Sequence, residues 1–538
     1  MGIAADAPTE LQPGSALRRR LKWAGLVLGP VAALTVHRLL LDAGTEPLTA
    51  EGRAVAAIAV WMAIWWLTEA VHVSVTALLP IGMLPLTGAQ SMAETTAPYA
   101  SPLIFLFLGG FVLALSMQRW GLDERIALIT VRMVGERPAQ LVGGFMLATA
   151  VMSMWVSNTA TVAMMLPIAL SVAALVRRLD IANHGGSHDD EAEPTAEAST
   201  RDAGQTLDGG EDPAERPAMG TNFAVCLMLG IAYAASIGGL GTIIGTPPNL
   251  FVASYLRDTL GVDISFVRWM LFGVPLVAVF LPLTWLLLTR VLYRLPRDPV
   301  EGAQAMARQR YLDLGSPTRG QWSTLIVFAL TALAWVFRPL LVEAEVFGTR
   351  PLAGLTDTGI AVVAALALFV IPVDVRERVF VMEWRSAEHL PWGVLLLFGG
   401  GLSLAHAIET TGVGQWIGRA VATVGPLPVI ALVALTCLII VGLTELTSNT
   451  ATTAAFVPVI AGVAPAMGLD PVVLVVPVAL AASAAFMMPV ATPPNAIVFG
   501  SGHVTIPQMI RAGVWLNLLT IVLVTATTLW LVPRIIGG

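Results

Sequence analysis

Charge is the commodity this sequence has least of. Only 12% of its 538 residues are Asp, Glu, Lys or Arg, and Lys22 is the sole lysine. A soluble domain carries about 25% charged residues, so an ordinary cytosolic enzyme is excluded. With a net charge of −6 and no basic stripe, a nucleic-acid partner is excluded as well. Cysteine is nearly missing too. Cys226 and Cys437 lie far apart inside apolar runs, which argues against a disulfide framework or a thiolate metal site. What abounds instead is hydrocarbon: 56% of the residues are hydrophobic. The chain reads as an all-α polytopic membrane protein.

Crossing a bilayer takes about 20 apolar residues. Spans are expected near 23–41, 54–70, 72–88, 103–118, 222–256, 269–290, 321–341, 359–373, 392–407, 471–500 and 513–533, eleven crossings in all. The basic run Arg18–Arg20 with Lys22 precedes a long apolar stretch without a cleavage box, so the first span is expected to be retained. Two stretches, 139–176 and 427–466, are too long for one crossing and tight for two. Each is interrupted by polar residues near its middle, the pattern of a re-entrant hairpin, tolerable only where the break is packed in protein or lines a wet cavity. Arginines at 119, 125, 132, 137, 177 and 178 flank the first hairpin, so it should open to the cytoplasm. The second has only Arg419 beside Glu409 and Asp470, and should open outside. Threading the spans gives a cytoplasmic N-terminus and an external C-terminus in the cytoplasmic membrane. Residues 179–221, rich in Asp, Glu, Gly and Pro, read as a solvated acidic loop.

The chain repeats itself. Gly110 matches Gly401, Ser157-Asn158-Thr159 matches Ser448-Asn449-Thr450, and Pro167 matches Pro458, all at an offset of 291. Thr246-Pro247-Pro248-Asn249 recurs as Thr492-Pro493-Pro494-Asn495 at an offset of 246. The 45 residues lost nearly equal the acidic loop, which only the first half carries. The organisation is therefore an N-terminal cytoplasmic segment 1–22, a first repeat with its preceding span at 23–292, a cytoplasmic linker 293–320 and a second repeat 321–538. Each repeat holds a hairpin (139–176; 427–466) and a broken helix (222–256; 471–500). Opposite hairpin orientations make the repeats inverted, the signature of secondary transporters.

The motifs explain themselves chemically. Ser, Thr and Asn side chains donate and accept hydrogen bonds, and at a helix break they satisfy backbone groups that lipid cannot. The returning half-helix aims free N–H groups and a partial positive charge into the break, while exposed carbonyls suit a small hard cation. Tandem prolines force the helix open, and Gly238, Gly239, Gly241 and Gly245 allow close approach. No charged residue lies in 139–176, 222–256 or 471–500, and the second hairpin holds only Glu445. An anion here must be held by neutral donors and helix ends, with monovalent cations offsetting its charge. Ser153 and Thr444, each one turn before its Ser, obey the same offset of 291. Glu445 reads either as an ion or proton site or as a hydrogen-bond partner of a neighbouring helix. His406 and His503 lack ligand-spaced companions and read as structural. Neither a zinc-hydrolase nor a nucleophile-elbow motif appears in the spans, which argues against an intramembrane enzyme; two capped, inverted hairpins argue against a channel.

In these paired motifs the sequence resembles the divalent anion/sodium symporter family over roughly residues 50–535. The resemblance implies a homodimer in which a scaffold domain holds the dimer contact, while a transport domain moves elevator-fashion with both hairpins and both broken helices. It implies that Ser157, Asn158, Thr159, Ser448, Asn449 and Thr450 bind substrate carboxylates, with Thr246, Pro247, Thr492 and Pro493 completing the pocket. It also implies one sodium held by Ser153, Ser157, Asn158 and Gly245 and another by Thr444, Thr447, Asn449 and Ala491. No organic cofactor is expected. Sodium-coupled symport of a C4-dicarboxylate such as succinate is the expectation; exchange without sodium, or carriage of sulfate or citrate, are alternatives within the same build.

Overall fold

The tandem prolines and the Ser-Asn-Thr tips break the chain where the sequence says they must. The computed structural model describes residues 15–40, 48–132, 135–184, 219–296, 298–300, 302–345, 347–422 and 427–536. Most of the N-terminal segment and of the acidic loop therefore lies outside the described residues. The first hairpin is Pro138–Ser153 and Asn158–His184, and the second is Val429–Thr444 and Asn449–Ala466. The first broken helix runs Met219–Gly239 and resumes as Pro247–Asp258; the second runs Pro471–Ala482 and resumes as Pro493–Gly500. In both, a proline occupies the first helical turn, where its missing N–H costs nothing and its fixed φ favours the helix.

Among the described residues, eight helices are long and apolar enough to cross a membrane, and five shorter apolar helices accompany them. Two expected spans fall short of the roughly 20 residues a crossing takes. Residues 73–86 form a 14-residue stretch split into Val73–Thr76 and Leu79–Leu86, and the span near 359–373 is the 14-residue helix Asp357–Val370. At 1.5 Å per residue each covers only about 21 Å. Burial orders the layers. Within Asn222–Gly239, 94% of residues are buried, against 17% in an 18-residue apolar stretch of Arg319–Glu343, so the first broken helix forms the centre and Arg319–Glu343 the periphery. The only sheet among the described residues is a two-stranded ribbon pairing Pro372–Asp374 with Val379–Phe380. Cys226 and Cys437 are free and buried.

The linker holds a helix that composition alone did not reveal, Ala303–Asp313. It leads into a turn gripped by the buried Arg125, whose guanidinium donates to the carbonyls of Leu314 (3.1 Å) and Gly315 (3.0 Å) and to Gln321 (3.2 Å). Gln321 in turn caps its own helix through Thr318 and donates to Trp120 O. Arg125 thus ties the first half of the chain to the linker, beside the Val300 N–H donating to Glu136 O (2.9 Å) and the Arg310–Glu124 ion pair (3.8 Å).

Candidate functional site

Four helix N-termini open on one cavity of about 890 Å³. They belong to the returning arms of both hairpins, starting at Asn158 and Asn449, and to the resumed halves of both broken helices, starting at Pro247 and Pro493. The starts at Asn158 and Asn449 present N–H groups without intrahelical partners; the two proline starts carry no N–H at their first two positions and add the positive end of a peptide dipole. The volume lies in the range of small-molecule pockets. Ser157, Asn158, Thr159, Thr246, Pro247, Ser448, Asn449, Thr450, Thr492 and Pro493 all line it, together with Gly245, Thr447 and Ala491. Ser153 and Thr444 do not; both are fully buried behind the tips.

What stands behind the tips repeats almost atom for atom. Ser153 Oγ lies 2.6 Å from Asn158 Oδ1 and 2.8 Å from Ala235 O. Thr444 Oγ1 lies 2.7 Å from Asn449 Oδ1 and 2.7 Å from Ala482 O. A hydroxyl has one proton, so each cluster holds three oxygens and a single hydrogen between them. An excess of neutral hard oxygens is the donor set of an alkali cation, and the residues present fit one ion behind each tip. The Thr447 hydroxyl, at the cavity wall, lies 2.8 Å from Leu443 O and 2.6 Å from Thr452 Oγ1. Among the described residues no three His, Cys, Asp or Glu side chains gather as a metal site.

Glycine is required at the first break. A Cβ on Gly239 would fall 2.4 Å from Thr246 Cγ2 and 2.8 Å from Asn158 Oδ1, and one on Gly245 would meet Gly239 O at 2.3 Å. The second break carries Ala485 and Ala491 at the matching places, so its loop runs less tightly. Thr246 and Ser483 join the two breaks across the repeat boundary, Oγ to Oγ at 3.1 Å.

Glu445 resolves as a hydrogen-bond anchor. Its carboxylate accepts from the backbone N–H of Phe486 (2.8 Å), Met487 (2.9 and 3.1 Å) and Met488 (3.1 Å), and from Asn517 Nδ2 (2.7 Å). The matching position of the first repeat is Met154, whose carbonyl accepts from Thr242 instead. The two tips differ also in cover. Trp155 of the first stacks 5.9 Å from Phe266 and 6.5 Å from Trp335, whereas Leu446 of the second is 72% exposed.

The cavity is also lined by residues the sequence reading missed: Phe107, Phe111, Leu115 and Gln118 from Pro102–Arg119, with Leu390 and Val394. Polar motifs announce themselves in an apolar chain, but one apolar residue among many does not. Glu69 and His389 also line the cavity, and Glu69 pairs with Lys22 at 3.4 Å. No Lys or Arg side chain is among the lining residues. His503 sits in a local turn, its Nδ1 2.9 Å from Ser501 O.

Comparison with known proteins agrees with this architecture. The sodium-dependent dicarboxylate transporter SdcS of Staphylococcus saprophyticus is 37% identical over 514 residues, covering 95% of this chain and 92% of its own. Its counterpart in Staphylococcus aureus (strain USA300) is 36% identical over the same length. Among solved structures, the YdaH transporter of Alcanivorax borkumensis (TM-score 0.51, 14% identity, 96% of this chain and 98% of that one) shares the fold. So does MtrF of Neisseria gonorrhoeae (TM-score 0.54, 15% identity, 96% and 97%). The family model described as the sodium:sulfate symporter transmembrane region matches residues 22–536, and the chain belongs to that family.

Proposed function

We propose that this protein is a sodium-coupled symporter of C4-dicarboxylates, such as succinate, malate or fumarate, across the cytoplasmic membrane. The observation that carries the reading is the pair of proton-poor oxygen clusters behind two tips that face one cavity lined by no Lys or Arg. Four helix starts and the tip hydroxyls and amides take the two carboxylates. A dianion in such a setting still needs compensating charge, and one sodium behind each tip supplies it beside the anion. Cation and anion then bind cooperatively, because each lowers the electrostatic cost of the other. The naming of relatives as sodium-dependent dicarboxylate transporters supports the choice of ion and substrate.

Alternating access follows from inverted repeats whose hairpins open on opposite sides, with the N-terminus cytoplasmic and the C-terminus external. The unequal cover of the two tips, Trp155 stacked and Leu446 exposed, supports a state open past the second tip alone. A transport unit of hairpins and broken helices moves against a scaffold, and two copies pair through their scaffolds in the bilayer. The test is uptake of labelled succinate into proteoliposomes under an inward sodium gradient. Uptake that collapses when choline replaces sodium supports symport; equal uptake without a cation gradient, or uptake that requires internal dicarboxylate, overturns it.

A further inference from the structure

Breaking a helix inside a membrane leaves carbonyls at the end of its first half without donors, and the tandem prolines bring no N–H to replace them. In both repeats the same side chain serves one carbonyl at that end and a second, Thr242 O or Met488 O, that also accepts from Gly245 N (3.4 Å) or Ala491 N (3.2 Å). Asn249 Nδ2 donates to Gly239 O at 3.0 Å and to Thr242 O at 2.8 Å. Asn495 Nδ2 donates to Ala485 O at 3.1 Å and to Met488 O at 3.0 Å. All six residues correspond at the offset of 246. Both asparagines are fully buried, and each leaves its Oδ1 without a partner among the described residues. A buried acceptor left unpaired costs free energy, and the chain accepts that cost twice to keep both amide hydrogens on the loop.

The stapled loops are the ones that deliver the carbonyls of Gly245 and Ala491. In the first repeat the held end is also beside the tip: a Cβ at Gly239 would stand 2.8 Å from Asn158 Oδ1, and Gly245 O lies 3.1 Å from that same point. Asn249 and Asn495 are not among the residues lining the cavity. Resting on the sodium-coupled reading above, we infer that Asn249 and Asn495 are positioning residues for the cations, one for each break. They hold each loop in the shape that presents its carbonyl oxygens to sodium, and they touch neither ion nor anion. Their influence is therefore on sodium affinity, with succinate affected only through it.

The experiment uses the full chain in proteoliposomes, with Asn249→Ala, Asn495→Ala and the milder Asn249→Ser and Asn495→Ser. Two quantities are read for each: the sodium concentration giving half-maximal succinate uptake, and the KM for succinate at saturating sodium. Thermal unfolding in choline reports whether the chain is folded. Losing two buried hydrogen bonds to the loop should raise the sodium half-saturation about tenfold in either alanine variant. Serine, which can donate one bond, should give an intermediate rise, while KM at saturating sodium moves by less than about threefold. Folded variants with unchanged sodium half-saturation overturn the inference. So does a rise in succinate KM with sodium half-saturation unmoved, and so does loss of the folded state in the serine variants, which would make the asparagines purely structural. A wild-type chain indifferent to sodium defeats the coupling reading itself; a sodium-dependent wild type with sodium-indifferent variants defeats this inference alone.

Discussion

Replacing Glu445 by glutamine changes one oxygen for an NH2 group at the point where the second break is tied down. On the Oε1 side the amide oxygen can still accept from Phe486 N, Met487 N and Asn517 Nδ2, now without its charge. On the other side Nε2 would face the N–H of Met487 and Met488, donor against donor, at the 3.1 Å the carboxylate oxygen now keeps. Leaving the Met488 N–H unpaired in a buried site costs about 1–3 kcal/mol, and weakening the charge-assisted bonds adds on the order of 1–2 kcal/mol. A destabilisation of about 2–5 kcal/mol is expected, centred on residues 483–492. Glu445→Ala, which strips all three N–H groups, should cost more. Thermal unfolding in detergent, run in choline and in sodium, measures the total, and amide exchange at 486–488 localises it. Met154→Gln, the matching position of the first repeat, should change little, because Thr242 secures that loop through the backbone. A Glu445→Gln protein as stable as wild type, with unchanged exchange at 486–488, would refute the anchor.

Other variants separate the parts of the site. Gly239→Ala forces Thr246 and Asn158 apart, so sodium-driven uptake should fall below a tenth of wild type in a protein that still folds, whereas Ala485→Gly at the matching place should be mild; uptake assays on both decide it. Ser153→Ala and Thr444→Val each remove a hydroxyl from one oxygen cluster, and each should raise the sodium half-saturation about tenfold in a sodium titration of uptake. Asn158→Ala and Asn449→Ala should each abolish uptake while unfolding in choline is unchanged. Burial pushes Asp123 up to about 6 from 3.8. The folded chain thus binds the proton more tightly than the unfolded one. The stability this contributes is fully present below about pH 4 and lost as pH rises through about 6, an effect of up to about 3 kcal/mol. Asp123→Asn should flatten that slope between pH 4 and 8 in thermal unfolding; an unchanged slope would remove Asp123 as its source.

The sequence announced whatever contrasts with an apolar background. Ser157-Asn158-Thr159 and Thr246-Pro247-Pro248-Asn249 stand out because polar residues and prolines are costly in lipid, and their recurrence gave both hairpins and both breaks before any coordinates. Ser153 and Thr444 came from the family resemblance, with their shared offset as independent support, and their buried hydroxyls lie within hydrogen-bond distance of the tip asparagines. The apolar wall was illegible: Phe111 and Leu115 look like any other residue of a membrane helix, and only tertiary packing turns them to the cavity. Glu69 and His389 sit at ends of apolar runs, where a charged residue is expected anyway. The roles of Asn249 and Asn495 needed coordinates too, since the motif shows the residue but not which carbonyls it holds. The stretch expected at 72–88 was overestimated because hydropathy counts residues and ignores the interruption between Val73–Thr76 and Leu79–Leu86.

Density for the protein in sodium succinate, compared with choline chloride, tests the central claim most directly. The account predicts one elongated anion between the helix starts at Asn158, Pro247, Asn449 and Pro493, with compact density behind each tip, beside Ser153 and beside Thr444, that disappears in choline. Succinate bound in choline with equal occupancy, or an anion seated on Lys or Arg side chains away from both tips, would contradict it.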